Sequence, residues 1–199
     1  MSRSLYLWSG LLVGLAGMGG WWLYEQWRLP PKGPAVWPLL ATYPLYEGVG
    51  QPVSPEALRG QVVLLDFIYT RCPSVCPRLS NRIQTLLQEL PAEAPVVAVS
   101  ISLDPAHDTP DKLALYAASY EVAGRKWHFW RPASQAWAFQ LAERVFGLTA
   151  AQLEGNDILH SDAILLIDCE GHLRGRYASS DETLRKNIQK LLRLCRDKS

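Results

Sequence analysis

The chain has 199 residues, with 20 Lys and Arg against 19 Asp and Glu, for a net charge of +1. That length suits one domain of about 150 residues plus attachments. The balanced, dispersed charge gives no electrostatic footing for nucleic acid, and four cysteines are too few for a disulfide-stapled mini-fold.

Leu5 to Tyr24 carries no charged side chain. As a helix it extends about 30 Å, enough to cross a hydrocarbon core. Tyr6 and Trp8 at one end, and Trp21, Trp22 and Tyr24 at the other, suit the two interfaces. A cleaved signal peptide is the alternative, but the stretch is long and no small-x-small site closes it before Trp21-Trp22. Residues 1–24 are therefore expected to be an uncleaved anchor. Arg3 on one flank faces Arg28 and Lys32 on the other. The downstream side carries the whole folded part, so an N-inside anchor with an exported body is expected. No Arg/Ser-rich transit segment is present, which points to a bacterial cytoplasmic membrane with the body in the periplasm.

Residues 25–40 contain four prolines and are expected to form an extended tether, leaving 41–199 as the globular part. Gly48 and Gly50 suggest an early hairpin. Val62–Tyr69 reads as a buried strand, and Pro77–Leu90 as a helix with Leu79, Ile83, Leu86, Leu87 and Leu90 on one face. Val96–Leu103 is a second buried strand. Thr109-Pro110 starts a helix running to about Tyr120. A short strand at Trp127–Trp130 precedes a helix over Ser134–Phe146, which Gly147 is placed to cap. Ala163–Asp168 and His172–Tyr177 form a hairpin, and Asp181–Arg196 is the last helix. Its inner face carries Leu184, Ile188, Leu191, Leu192 and Cys195. The order β-α-β-α-β-β-α, with a di-cysteine after a strand, describes an α/β sandwich with a mixed sheet on the thioredoxin-like plan, with an added segment around 105–140.

Cys72-Pro73-Ser74-Val75-Cys76-Pro77 follows the first buried strand and opens a helix. Unpaired N–H groups and the positive dipole end acidify a thiol placed there. The spacing i, i+4 puts both sulfurs on one side. Thioredoxin-type redox catalysts use a pair one residue closer, and the extra residue leaves room for a metal gripped by both sulfurs. Three uses remain open at this point: a passive disulfide, thiol–disulfide exchange, or soft-metal binding.

Two thiolates with one imidazole suit copper in either oxidation state, so a histidine ligand is sought. His128 sits inside a strand and His172 beside a hairpin turn, where solvation is expected. His107, in the Asp104–Thr109 loop, stays open. His160 comes just before the strand Ala163–Asp168, where the thioredoxin plan brings the chain against the cysteine turn and normally carries a cis-proline. It is the favoured third ligand. Cys195, at the end of the last helix, falls near Cys169 at the end of that strand. The two form a disulfide or remain as buried free thiols.

The chain resembles the Sco/SenC copper proteins that help assemble cytochrome c oxidase. The resemblance covers roughly residues 45–197. It runs through Leu58-Arg59-Gly60, Asp66 to Tyr69, Thr70-Arg71-Cys72-Pro73-Ser74-Val75-Cys76-Pro77, Ser102 to Pro110 and His160-Ser161. It implies that Cys72, Cys76 and His160 bind one copper ion, Cu(I) or Cu(II). It also implies delivery to the binuclear copper A site of oxidase subunit II, or reduction of that site's cysteines. Asp104, Pro105, Asp108 and Thr109 match the family's second motif, for which turn formation and helix capping are preferred to direct ligation. Family members often carry an acidic residue where this chain has Ser74, and another where it has Leu159.

The expected function is thus a membrane-tethered copper chaperone rather than a classical enzyme. The alternative is a thiol–disulfide reductase using Cys72 and Cys76, and His160 discriminates, because copper binding needs it and disulfide reduction does not. A copper or redox sensor would use the same residues, but nothing in the sequence speaks for it. A peroxiredoxin-like peroxidase fits less well, because peroxide chemistry needs neither Cys76 nor His160.

Overall fold

The computed structural model describes residues 28–120, 122, 124, 126–153 and 157–196, together with Gly20. Apart from Gly20, the expected anchor Leu5 to Tyr24 lies outside these residues. Among the described residues no helix is long and apolar enough to cross a membrane.

The fold takes in more of the N-terminal side than the sequence suggests. Residues 25–40 read as a tether, yet the compact unit begins at Pro31, and Val36, Trp37 and Leu40 are fully buried. Gly33 N–H donates to Leu173 O at 2.8 Å, and Val36 N–H to Gly171 O at 2.7 Å. Gly171 has φ +89° and lies against the Trp37 ring so closely that a Cβ would collide with it. Prolines extend this segment, but its apolar side chains are spent on the core. The short helix α1 (Trp37–Leu40) completes the docking.

A hairpin follows, β1 (Leu45–Glu47) and β2 (Gln51–Pro52), with a 3-10 turn over Pro55–Leu58. Then come β3 (Val62–Ile68), α2 (Val75–Glu89), β4 (Val96–Ser102), α3 (Pro110–Ala117) and β5 (Trp127–Pro132). Thr109 caps α3 as expected, its hydroxyl accepting from Lys112 N–H. The helix α4 (Gln135–Gln140) widens into a π-turn over Leu141–Val145 before Gly147, φ +61°, ends it. The remainder is β6 (Ala150–Gln152), β7 (Ile158–His160), β8 (Ile164–Ile167), β9 (Leu173–Tyr177) and α5 (Thr183–Arg196).

The main sheet runs β2-β1-β5-β4-β3-β8-β9. The pairs β3–β4 and β4–β5 are parallel, while β1–β5, β3–β8 and β8–β9 are antiparallel. This is the mixed sheet of the sequence reading. Central β3 and β4 are buried along their whole length, which is why they read as near-continuous apolar runs, interrupted only by Asp66, Ser100 and Ser102, rather than alternating ones. Val63, Leu65 and Phe67 enter a core shared with Trp37, Leu141 and Phe146. By strand alternation Leu64 and Asp66 face the other way. The buried stripes of α2 (Leu79, Ile83, Leu86) and α5 (Leu184, Ile188, Leu191) also pack by β3, with Arg185 of α5 paired to Glu89 of α2 at 3.1 Å. The sequence reading missed the separate hairpin β6–β7. Its strands of three residues each are too short to show a period.

Cys169 and Cys195 form a disulfide, Cα to Cα 6.0 Å, settling the alternative that the sequence left open. It fastens the turn after β8 to the last turn of α5.

Candidate metal centre

After Ile68 the chain leaves the sheet and turns back. Cys72 N–H donates to Tyr69 O at 3.0 Å, Pro73 follows, and α2 starts at Val75. Cys76 therefore sits in the first turn of α2, where backbone N–H groups have no helical acceptor. Its own N–H points at Cys72 Sγ, 3.4 Å away, and Tyr69 N–H donates to Cys76 Sγ at 3.4 Å. Both thiols are free. Cys76 is fully buried and Cys72 is 8% exposed.

The hairpin β6–β7 delivers the third donor. His160 Nε2 lies 3.4 Å from Cys76 Sγ and 3.9 Å from Cys72 Sγ. The three donor atoms all fall within 4.8 Å of one another. His160 Nδ1 is 3.3 Å from Ser161 O. A ring proton on Nδ1 donated to that carbonyl turns Nε2 toward the sulfurs, where it ligates a metal once it carries no proton of its own. Leu159, 48% exposed, cannot orient the ring, and the Ser161 backbone carbonyl does so instead. Ser74 precedes α2, but its side chain makes no capping bond.

The two thiols are electrostatically unequal. A hydrogen bond from Cys76 is the main cause lowering the Cys72 pKa to about 3. Burial opposes it, while His160 and the N–H groups of Cys76 and Ser74 assist. Cys76 is pushed far up, first because it keeps the proton it shares with charged Cys72, then because it is buried. Cys72 is thus the more acidic sulfur of the pair and the one readier to meet a soft cation as a thiolate.

The second motif braces this loop. The Asp108 carboxylate accepts from Thr70 N–H at 3.1 Å, Thr70 Oγ1 at 2.6 Å and Ser102 Oγ at 2.6 Å. Asp104 Oδ2 accepts both Nε and Nη2 of Arg71, at 2.9 and 2.6 Å. The end of β4 is thereby stitched to the cysteine loop. These acids support the site rather than contribute donors to it, and Thr109 caps α3.

On the α2 side of β3 lies buried Asp66. Its Oδ1 accepts from Ser100 Oγ at 2.5 Å, and Ser100 Oγ in turn accepts from Trp127 Nε1 at 2.9 Å. Its Oδ2 has no partner. Burial raises the Asp66 pKa to about 7 against the Ser100 bond and the pull of His160.

The other histidines lie apart. His107 is beside Lys112 Nζ, His128 bonds Glu47 at 2.7 Å, and His172 is 3.7 Å from Asp168. His172 was expected to be solvated, yet its side chain is only 23% exposed. Asp168, Glu170 and His172 also cluster, but Asp168 already accepts Glu170 N–H, His172 N–H and Arg174 Nε, and Glu170 pairs with Lys32. That trio is a braced turn.

Sequence reasoning named the three converging donors, and it gave Tyr69, Ser161 and Asp66 no role beyond carrying the family resemblance. Asp66 had a legible signal, a carboxylate inside an apolar strand. Ser161 acts through its backbone carbonyl and leaves no signal in side-chain type.

The SCO1/SenC family model matches residues 37–196. The chain belongs to the SCO1/SenC family. A SCO1 protein homolog of Bacillus subtilis strain 168 is 32% identical over 136 residues, covering 67% of this chain and 70% of that protein. The solved structure of BsSco, a member of the Sco family of cytochrome c oxidase assembly proteins described with a disulfide switch, is 28% identical. Its TM-score is 0.65 over 75% of this chain and 91% of its own. Copper-bound ScoI of Arabidopsis thaliana shares the fold at 20% identity and TM-score 0.65, over 76% of this chain and 96% of its own. These matches show the thioredoxin-like Sco fold.

Proposed function

We propose that this Sco protein binds one copper ion through Cys72 Sγ, Cys76 Sγ and His160 Nε2 and passes it to the binuclear copper A site of cytochrome c oxidase subunit II. The observation that carries the reading is the convergence of two sulfurs and one oriented imidazole nitrogen within 4.8 Å, a donor set suited to copper in both oxidation states. Copper-bound ScoI and the oxidase-assembly role of BsSco support it. Transfer proceeds by ligand exchange. Cys72, the more exposed sulfur, is the first ligand that an acceptor thiolate replaces, and buried Cys76 and His160 let go afterwards. Residues 1–24 serve as a membrane anchor with the body in the periplasm, raising the local concentration at a membrane-embedded acceptor.

An anaerobic Cu(I) competition titration of the full-length protein in detergent tests this. One equivalent held tightly, and lost in Cys72→Ser, is the expected result. Failure to compete for Cu(I) removes the copper reading.

The inequality of the two thiols favours a second reading, reduction of an acceptor disulfide. Cys72 thiolate attacks one acceptor sulfur and expels the other as a thiolate. Cys76 then loses its proton and attacks Cys72 in the mixed disulfide, releasing the second acceptor thiolate and leaving a Cys72–Cys76 disulfide. His160→Ala separates the readings, since it weakens copper binding and leaves exchange in place.

A further inference from the structure

The whole chain is nearly balanced in charge, but α5 is not. Thr183–Arg196 carries five Lys and Arg and no Asp or Glu. Buried Leu184, Ile188, Leu191 and Cys195 form one stripe of this helix. At about 100° per residue, Arg185, Lys186, Gln189, Lys190, Arg193 and Arg196 fill the opposite arc. All six are exposed except half-buried Lys190. Glu89, 3.1 Å from Arg185, and Glu93, across a cleft from Arg193 and Arg196, offset part of the charge. The apolar stripe is spent on the core, so this helix offers the outside a surface of one sign.

The fold brings the entering chain to the end of that helix. Gly33 N–H donates to Leu173 O and Val36 N–H to Gly171 O, which docks the segment on the turn after β8. Cys169 of that turn is bonded to Cys195 in the last turn of α5, Cα to Cα 6.0 Å. Six residues separate Tyr24, the end of the expected anchor, from Pro31, where the compact unit begins. Fully extended, this link spans about 25 Å. An anchor at residues 1–24 would therefore keep this pole within about that distance of a bilayer surface. The Cys169 carbonyl accepts Gly60 N–H beside the start of β3, whereas the metal centre follows its end, about 20 Å along the strand. None of the metal donors belongs to this surface.

We propose that the outward arc of α5 docks on an anionic phospholipid bilayer, a second attachment that orients the body beside its anchor. Basic clusters on amphipathic helices are drawn to anionic headgroups, each charge strengthening the association about fivefold. With the apolar stripe buried in the core, the docking is electrostatic and salt-sensitive and inserts no side chain into the hydrocarbon. The reach argument rests on the anchor reading of residues 1–24, whereas the charge argument does not.

The test reconstitutes the full-length protein in nanodiscs of phosphatidylcholine, alone or with about one-third phosphatidylglycerol. Lysines are acetylated and mapped by peptide mass spectrometry. The labelling rate of Lys186 should fall about fivefold in the anionic discs and recover at about 1 M salt. Exposed Lys112 of α3 should keep one rate in both. Arg193→Gln with Arg196→Gln should lose most of the Lys186 protection at an unchanged thermal midpoint. Equal Lys186 rates in the two discs, an equal fall at Lys112, or full protection in the double variant overturns the proposal. Protection by soluble polyglutamate with none by the anionic disc also overturns it and assigns the arc to an acidic protein. Liposome flotation separates this docking from the anchor. A chain that does not float with phosphatidylcholine overturns the anchor, and its salt-sensitive flotation with anionic liposomes would still uphold docking by α5. Flotation with neither overturns both.

Discussion

The protein carries two cysteine pairs at opposite ends of β3, and they have opposite fates. Cys169 lies beside the start of the strand, its carbonyl accepting Gly60 N–H. It is bonded to Cys195, 26 residues away in sequence. Cys72 and Cys76 follow the end of the strand only four residues apart, and both are free. What separates them is their surroundings rather than their distance in sequence. At the first pair two elements meet with their Cβ vectors facing, and a covalent bond closes a long loop. At the second, a helix N-terminus, an imidazole and the Tyr69 N–H are packed onto the sulfurs, which share a hydrogen bond rather than a covalent one. One end of the strand is fastened, and the other is kept ready for exchange.

Substitutions at each end should keep that division, beginning with the largest effect. Cys72→Ser and Cys76→Ser should each lower Cu(I) affinity by more than the about 100-fold that loss of an outer-shell partner costs, read by competition titration with no change in thermal midpoint beyond a few degrees. His160→Ala should cost Cu(II) more than Cu(I), because the imidazole is the harder of the donors. No loss for either ion would remove it from the donor set.

At the fastened end, Cys169→Ala with Cys195→Ala should lower stability by about 3–4 kcal/mol and the midpoint by about 10 °C, while Cu(I) affinity stays at the wild-type value. A loss of copper binding there would show that the two ends are coupled.

Asp66 stands between them and gives a pH-dependent test. Its folded pKa is raised to about 7, so the folded state holds the proton more tightly than the unfolded chain does. The stability that this group contributes is full below about pH 4 and is lost as pH rises through 7. Asp66→Asn, which cannot ionise, should match wild type near pH 4 and exceed it at pH 8 by an amount on the order of 2 kcal/mol. Chemical denaturation at the two pH values measures the difference, and a constant offset would mean that Asp66 does not titrate in this range.

The smallest change is expected from Asp108→Asn. An amide in place of the carboxylate loses the charge that Thr70 and Ser102 donate to. Stability should fall by about 1 kcal/mol, and copper affinity by about tenfold through looser placement of Cys72.

Much of this was legible in the residues. The buried runs of β3 and β4, the Thr109-Pro110 cap, the last helix and the cysteine turn all carry local signals that the fold retains. The docked segment Gly33–Leu40 was misread because proline content speaks for extension and is silent on where Trp37 packs. The hairpin β6–β7 was missed because its strands are held by pairing and by the core beneath Ala150 and Ile158, not by local propensity.

The sequence by itself determined the pieces: a thiol pair at a helix start, a histidine before a strand, and a mixed sheet with two central buried strands. These depend on spacing and on the period of apolar residues, both local properties of the chain. Only the tertiary structure decided which histidine reaches the sulfurs, that Cys72 is the more acidic thiol of the pair, and that the Ser161 carbonyl turns the imidazole. Those facts arise where segments up to 88 residues apart come within bonding distance. Hydrogen bonding and burial act on the distance between atoms, and only folding sets that distance.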